Sequence, residues 1–300
     1  MYNNHYSNGI TEEMKMLYNA ALVLEGGAMR GQYSAGVTDA FLKHGIEFRS
    51  VIGVSAGALC GAQFVAKQYG RMIHVNTTYR HDPNYISLRR ALKRQPVLNL
   101  DFLFEDHGWD WHNFDERAYR RAVSHFTIVA TALATGTAVT FTDPVGEELE
   151  VALKASSSMP FFATPQMTAQ GLCLDGGLAN SIPFNIAQQQ GYDKIVVVRT
   201  RPSDYRKKPS GKLVAQMFKH TFADYPAFVK TALARPTMYN EQVAKLNALT
   251  AAGQIFCLAP EQAVKVGRLE GNTKKLTQLY QQGLAQAEAT LPALLAYLTR

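Results

Sequence analysis

Ser55 lies in Gly53-Val54-Ser55-Ala56-Gly57, between an apolar run (Val51, Ile52, Val54) and an Ala-rich stretch of helical character reaching about residue 69. Gly-x-Ser-x-Gly between strand and helix is the pattern of a nucleophile elbow: a sharp turn exposes the hydroxyl, and small flanking residues let neighbouring backbone pass close. A helix starting at the serine aims its N-terminal N–H groups where negative charge develops during acyl transfer. The chemistry permitted is attack on an acyl carbonyl. The plainer alternative is a Gly-rich turn whose serine caps the helix.

A serine hydroxyl is a poor nucleophile until a base takes its proton. The order serine, acid, histidine requires a late histidine. Only His220 follows Asp175, and it falls in the helical stretch Met217-Phe218-Lys219-His220; His44, His74, His81 and His125 are no better placed. Asp175 ends a short apolar strand and is followed by Gly176 and Gly177, which remove bulk beside its carboxylate. Brought to the same sheet edge as Ser55, it could accept the hydroxyl proton directly. Taken alone, Asp-Gly-Gly is also an ordinary tight turn.

A third turn, Glu25-Gly26-Gly27-Ala28-Met29-Arg30-Gly31, joins an apolar strand over 20–24 to an amphipathic helix over 32–44 ended by Gly45. Strand, glycine turn and helix present unpaired backbone N–H groups to an anion, either a phosphate or a tetrahedral oxyanion. A dinucleotide site needs G-x-G-x-x-G and an acid closing the second strand. Ala28 interrupts that pattern, and Glu47 precedes the second strand instead of following it. The oxyanion reading is therefore preferred.

The elements that position these turns alternate. Strands are expected at 125–133, 138–142, 172–174, 193–199 and 254–258. Helices are expected at 114–124, 147–156, 183–191, 212–222, 227–234, 240–250 and 273–298, with Pro292 a potential kink. This alternation implies an α/β fold with a mainly parallel sheet covered on both faces. The expected organisation is a polar lead (1–18), a catalytic core (19–202) and a helix-rich C-terminal extension (203–300) packed on the same domain. Residues 102–114, with His107, Trp109, Trp111 and His112, read as a lid, an acyl-chain pocket or a packed surface loop.

Composition excludes other classes. Hydrophobic residues make up 47% of the 300, enough for a large core and too many for a disordered chain. No apolar run approaches the roughly 20 residues of a membrane span, and residues 1–15 lack a signal-peptide core. The expectation is a cytoplasmic protein, peripheral at the inner membrane face. Cys60, Cys173 and Cys257 show no metal or disulfide spacing and read as free thiols. Net charge is +7, and basic residues cluster at Arg89, Arg90, Lys93 and Arg94, and again between Arg199 and Lys212. Such clusters suit a solvated face, nucleic acid or an anionic membrane surface. No nucleic-acid motif accompanies them, so no nucleic acid is expected.

Taken together, the chain resembles the patatin-like phospholipase family, on Gly26-Gly27-Ala28-Met29-Arg30-Gly31, the elbow at 53–57 and Asp175-Gly176-Gly177. A further likeness is Ala155-Ser156-Ser157-Ser158-Met159-Pro160, with Phe162 and Pro165 following. The resemblance spans about 21–200; Lys265-Val266-Gly267-Arg268-Leu269 and the helix after it are similar to an extension in a bacterial subgroup. It implies a three-layer αβα fold and hydrolysis of lipid acyl esters without metal or other cofactor. Carried over, Ser55 is the nucleophile, Asp175 the base, and the amides of Gly26, Gly27 and Ala28 the oxyanion hole. Arg30 and Gly31 support that loop, or Arg30 meets a lipid phosphate, while Gly53, Gly57, Gly176 and Gly177 shape the turns. Ala28 stands where the family usually has a third glycine, and it is strained if that position needs φ > 0. The alternative is a non-hydrolytic lipid-binding or regulatory module on the same scaffold.

Overall fold

A computed structural model describes residues 16–93, 95–106 and 114–300. The lead at 1–15, Arg94, and the readings placed on His107, Trp109, Trp111 and His112 lie outside the described residues. The chain runs β1 (Met16–Leu24), a 3-10 turn (Ala28–Gly31), α1 (Gln32–Lys43), β2 (Ile46–Val54), α2 (Ala56–Val65), α3 (Arg71–Thr78) and α4 (Leu88–Leu92). After a π turn (Phe102–Asp106) come α5 (Glu116–Arg120), β3 (His125–Ala132), β4 (Ala138–Thr142), α6 (Glu147–Ser157), β5 (Gln166–Thr168) and β6 (Gly171–Asp175). A second 3-10 turn (Gly176–Leu178) leads to α7 (Phe184–Gln189), β7 (Ile195–Val198), α8 (Lys212–Thr221), α9 (Pro226–Ala251), β8 (Ile255–Leu258) and α10 (Thr273–Thr299).

Paired strands follow the order β5-β6-β3-β2-β1-β7-β8, with β4 also on β3. The pairs β1–β2, β1–β7, β2–β3 and β7–β8 are parallel; β3–β4, β3–β6 and β5–β6 are antiparallel. Successive side chains of a strand point to opposite faces, and both faces are covered. Ala20, Leu22, Leu24, Val196 and Val198 join one apolar cluster with Phe41, Ala58 and Leu294 of α1, α2 and α10. Ala21, Val23, Ile195 and Val197 join another with Phe184, Tyr239, Val243 and Leu246 of α7 and α9. The result is the three-layer αβα arrangement, with the late strand β8 returning to the sheet beside β7.

Register decides where the strand ends meet. Val129 pairs with both Val54 of β2 and Thr140 of β4, so those two strands flank β3. Ala130 pairs with both Val139 of β4 and Asp175 of β6. β6 is therefore on the same side of β3 as β2, in line with it. Because β2 is parallel and β6 antiparallel to β3, their C-terminal ends converge head-on, at Val54 and Asp175.

The expected break between helices at 227–234 and 240–250 is absent: α9 runs unbroken from 226 to 251 through Pro236. A proline inside a helix removes one backbone hydrogen bond and normally kinks or stops it. Here Phe228, Ala232, Tyr239, Val243 and Leu246 are buried along the helix, and this packing keeps it continuous. Packing outweighs the local penalty. The three-residue β5 is too short for its sequence to reveal. Cys60, Cys173 and Cys257 are free, and no described helix is long and apolar enough to cross a membrane.

Helix α10 lies against α1 at backbone contact. A Cβ on Gly36 would collide with the carbonyl of Tyr280, and one on Gly283 with the carbonyl of Tyr33. Tyr280 donates to Asp39 Oδ2 at 2.8 Å and Tyr33 to Gln286 Oε1 at 2.7 Å across this seam. Burial pushes the Asp39 carboxyl up to about 7.

Candidate active site

Ser55 follows the last residue of β2 and precedes the first of α2, with φ 56° and ψ −127°. That conformation is rare for an L-residue, costs of order 1–3 kcal/mol, and persists only where its surroundings enforce it. They do so by close approach on both sides. A Cβ on Gly53 would sit 2.6 Å from Ala58 Cα, and one on Gly57 would strike the Leu24 carbonyl at the end of β1. The Ser55 N–H donates to Ser156 Oγ at 2.7 Å, and Ser156 in turn donates to the Val129 carbonyl at 2.6 Å. Ser156, from the Ala-Ser-Ser-Ser segment, thus ties the elbow to β3. The sequence marked that segment without revealing this role.

Ser55 Oγ donates to Asp175 Oδ2 at 2.7 Å. The other carboxylate oxygen accepts from the Gly177 N–H at 2.8 Å, Asp175 N–H donates to the Ser158 carbonyl at 2.9 Å, and Thr131 Oγ1 donates to the Asp175 carbonyl at 2.9 Å. Gly176 packs on β3 so closely that a Cβ would strike the Val129 carbonyl. Both side chains are buried, Ser55 at 5% and Asp175 at 7% exposure. Burial lifts the Asp175 carboxyl above the usual carboxylate range, while Arg235, the Ser55 hydroxyl and the Gly177 amide pull the other way. His220 is exposed on α8, and among the described residues no histidine lines the cavity around Ser55.

The loop after β1 is held by its neighbours. Glu25 N–H donates to the Val198 carbonyl at 3.0 Å, and Thr200 Oγ1 donates to the Gly26 carbonyl at 3.1 Å. The Gly26 N–H reaches the Ser181 carbonyl at 3.4 Å. Among the described residues the amides of Gly27 and Ala28 have no protein acceptor. Of the three expected donors, these two are the free ones. Gly31 lies under Ala56, whose Cβ would be 2.7 Å from a Cβ at that glycine.

Ala28 has φ +49°, the left-handed region that the missing glycine would occupy freely. An L-residue there loses roughly 1–2 kcal/mol, part of which glycine gives back as unfolded-chain entropy. Ala28→Gly is therefore expected to raise stability by about 0.5–1 kcal/mol, read as a higher midpoint in urea titration. A lower midpoint would mean that the alanine methyl is held by contacts that outweigh the strain.

The basic run from Arg199 onward is not the uniform solvated face its composition suggests. Arg199 is fully buried, 4.0 Å from Glu25. Glu25 also accepts from the Thr200 N–H at 2.6 Å and the Tyr239 hydroxyl at 2.8 Å. An isolated charge there would be prohibitive; a paired and hydrogen-bonded one is tolerated. Arg201, Lys207 and Lys208 line a cavity of about 470 Å³ that opens on Ser55 and Asp175. Its apolar lining includes Phe161, Leu178, Val214, Met217 and Phe218. Phe161 and Phe218 meet edge to face at 4.7 Å. Among the described residues no cluster of three or more His, Cys, Asp or Glu is placed to hold a metal ion.

A three-layer αβα sheet with a serine elbow and an aspartate at converging strand ends defines the class. Residues 22–187 match the family model described as patatin-like phospholipase, and the chain belongs to that family. Residues 225–299 match a second model, a domain of unknown function, DUF6363. Over 192 residues the chain is 30% identical to the uncharacterized protein YjjU of Escherichia coli (strain K12), covering 63% of this chain and 54% of YjjU. The chain thus spans about half the length of that relative. The crystal structure of VipD from Legionella pneumophila aligns with a TM-score of 0.49 at 11% identity, over 92% of this chain and 67% of that one.

Proposed function

We propose that this chain hydrolyses carboxylic esters of lipids through an acyl intermediate on Ser55, with Asp175 as the only side-chain base. The carrying observation is the 2.7 Å hydrogen bond from Ser55 Oγ to Asp175 Oδ2 beside a cavity with an apolar wall. Asp175 takes the hydroxyl proton as Oγ attacks the ester carbonyl. The amides of Gly27 and Ala28 receive the tetrahedral oxyanion, a role in which one preorganised donor is worth about 10²–10³ in rate. The C–O bond to the alcohol then breaks, the proton passes from Asp175 to the leaving alkoxide, and an acyl-Ser55 ester remains. Water, deprotonated by Asp175, attacks that ester and releases the fatty acid while Ser55 regains its proton. The test is a fluorophosphonate probe followed by peptide mass spectrometry. One adduct on Ser55 is expected; an unlabelled protein, or labelling only elsewhere, removes the reading.

Peripheral contact with an anionic membrane surface belongs to the same proposal. Helix α8 exposes Leu213 (70%), Met217 (42%) and Val214 (41%), and the last two also line the cavity. Lys212 and Lys219 flank them, so an apolar strip with basic edges sits at the cavity mouth. Each basic residue near an anionic surface adds about 1 kcal/mol of attraction. Sedimentation with vesicles is expected to rise with their anionic lipid fraction and to drop several-fold in Leu213→Glu. Sedimentation indifferent to both would rule this face out.

A further inference from the structure

The charge lining the cavity beside Ser55 is mostly of one sign. Arg30, Arg201, Lys207, Lys208, Arg235 and Arg268 face it, against only Glu25 and Asp175. Both acids are already engaged, Glu25 by Thr200, Tyr239 and Arg199, and Asp175 by Ser55 and Gly177. Among the described residues none of the six cations makes an ion pair with a carboxylate. Arg30 Nε is buried without a hydrogen-bond partner. Like charges gathered without counter-ions are costly. A guanidinium keeps its proton near neutral pH, whereas a buried lysine gives its proton up readily. A lysine can therefore relieve the crowding by changing its own charge.

Lys207, between β7 and α8, is the lysine placed to do so. Its backbone is clamped by Asn240 of α9, which accepts from the Lys207 N–H at 2.8 Å and donates to the Lys207 carbonyl at 3.0 Å. Its Nζ lies over the ring of Tyr239, whose own hydroxyl is spent on Glu25. Among the described residues that Nζ has no hydrogen-bond acceptor; both hydrogen bonds of Lys207 are made by its backbone. Arg235 is fixed nearby, donating through Nε to the Gly177 carbonyl at 2.6 Å. Burial first, and then Arg235, Arg30 and Arg268, outweigh Glu25 and push the Lys207 ammonium down to about 6. At pH 7 most of the population is the free amine, where an ordinary lysine is almost wholly protonated.

We infer that Lys207 is a carbon dioxide acceptor, and that its carbamate is the counter-anion which Arg30, Arg235 and Arg268 lack. The amine lone pair forms the N–C bond, one C=O π pair moves onto oxygen, and the nitrogen releases one proton to solvent. A neutral group becomes an anion with two carboxylate oxygens, which guanidinium groups meet through forked N–H pairs. Carbon dioxide suits the site because it enters uncharged and becomes an anion only beside the arginines. An aldehyde would leave a neutral or cationic imine and supply no counter-ion. The modification also reaches the Ser55 partner. Asp175, lifted by burial, is pulled back chiefly by Arg235. A carbamate that pairs with Arg235 offsets this pull, so Asp175 keeps its proton to higher pH. That consequence for turnover rests on the acyl-hydrolase reading above; the carbamate itself does not.

The test is chemical trapping on the full-length protein. It is equilibrated with isotopically labelled bicarbonate near pH 7, carbamates are ethylated with triethyloxonium ion, and the peptides are read by mass spectrometry. A labelled ethoxycarbonyl group is expected on Lys207 in at least about ten-fold excess over any other lysine, since an ordinary lysine there is free amine in fewer than about one molecule in a thousand. At constant dissolved carbon dioxide the label should increase with pH, because each carbamate releases a proton. It should decrease in Arg268→Gln, an exposed position whose change is not expected to perturb folding. At matched ionic strength, carbon dioxide should move the acid limb of ester hydrolysis to higher pH in wild type and leave it in place in Lys207→Gln. No label on Lys207, label spread evenly over the lysines, or label undiminished in Arg268→Gln overturns the inference. A labelled Lys207 with an unmoved acid limb overturns the link to Asp175. A labelled Lys207 in a protein that turns over no ester would instead sink the acyl-hydrolase reading and leave the carbamate standing.

Discussion

Alanine at position 55 is expected to lower kcat on short-chain esters by about 10⁵–10⁶, the scale of losing a serine nucleophile in a comparable machinery. The Oγ that forms the acyl bond is gone, while the amides of Gly27 and Ala28 and the cavity remain. A small residual rate over water, from oxyanion and binding contacts alone, is therefore compatible with the mechanism. Fluorophosphonate labelling should disappear with the activity. Turnover close to wild type would show that another group carries the chemistry. A second variant separates chemistry from strain. Ser55→Gly should be equally inactive yet more stable than Ser55→Ala, because glycine adopts φ 56° and ψ −127° without steric cost. Thermal melts of the two proteins read this directly.

Asp175→Asn is expected to lower kcat by about 10⁴, as for an isosteric loss of the acid in a serine triad. Asparagine still accepts from the Gly177 N–H and still contacts Ser55 Oγ, so the turn survives, but it cannot take a proton. The pH profile supplies a second readout. Burial lifts the Asp175 carboxyl above its ordinary value. As base it must be ionised, so wild-type activity should rise with pH through that lifted value and then level off. The variant should lose this acid limb. The stability consequence has a definite sign. A carboxyl that holds its proton more tightly folded than unfolded stabilises the fold when protonated. That contribution is lost as pH rises from the unfolded value of about 3.9 through the folded one. At pH 8 the asparagine protein should therefore melt no lower than wild type. Activity within ten-fold of wild type, or a marked drop in melting temperature that alone explains the loss, would remove Asp175 from the role of base.

The DUF6363 region gains a concrete place in this picture. Its helix α9 delivers Arg235 and anchors Lys207 through Asn240, and the following segment delivers Arg268. It also closes the second face of the sheet through Tyr239, Val243 and Leu246. Removing a region that contributes both core and site charge would expose the sheet and strip the cavity of two cations, Arg235 and Arg268, at once.

Much of the core was legible in the sequence because its signals are short-range. Apolar runs over 20–24 and 195–198 are strands since both faces are covered, and Gly53, Gly57, Gly176 and Gly177 mark places where backbone must pass without a Cβ between. The same local reasoning failed at Pro236, where a residue-by-residue penalty breaks a helix that five buried side chains keep whole. It also read Arg199 as part of a solvated run, when Glu25, distant in the chain, draws it inside.

The sequence alone determined which residues can do chemistry and what shape each turn takes, because the sterics of five or six consecutive residues decide a turn. Its local rules preferred Asp175 at a strand end to His220 in a helical stretch, but they could not bring either side chain to the serine. Only the tertiary structure settled which partner reaches Ser55, by placing β6 in line with β2 along β3, and which cations gather around the serine from four separate stretches of chain. Strand pairing and the clustering of distant charges depend on burial summed over the whole molecule, and no window of neighbouring residues carries that sum.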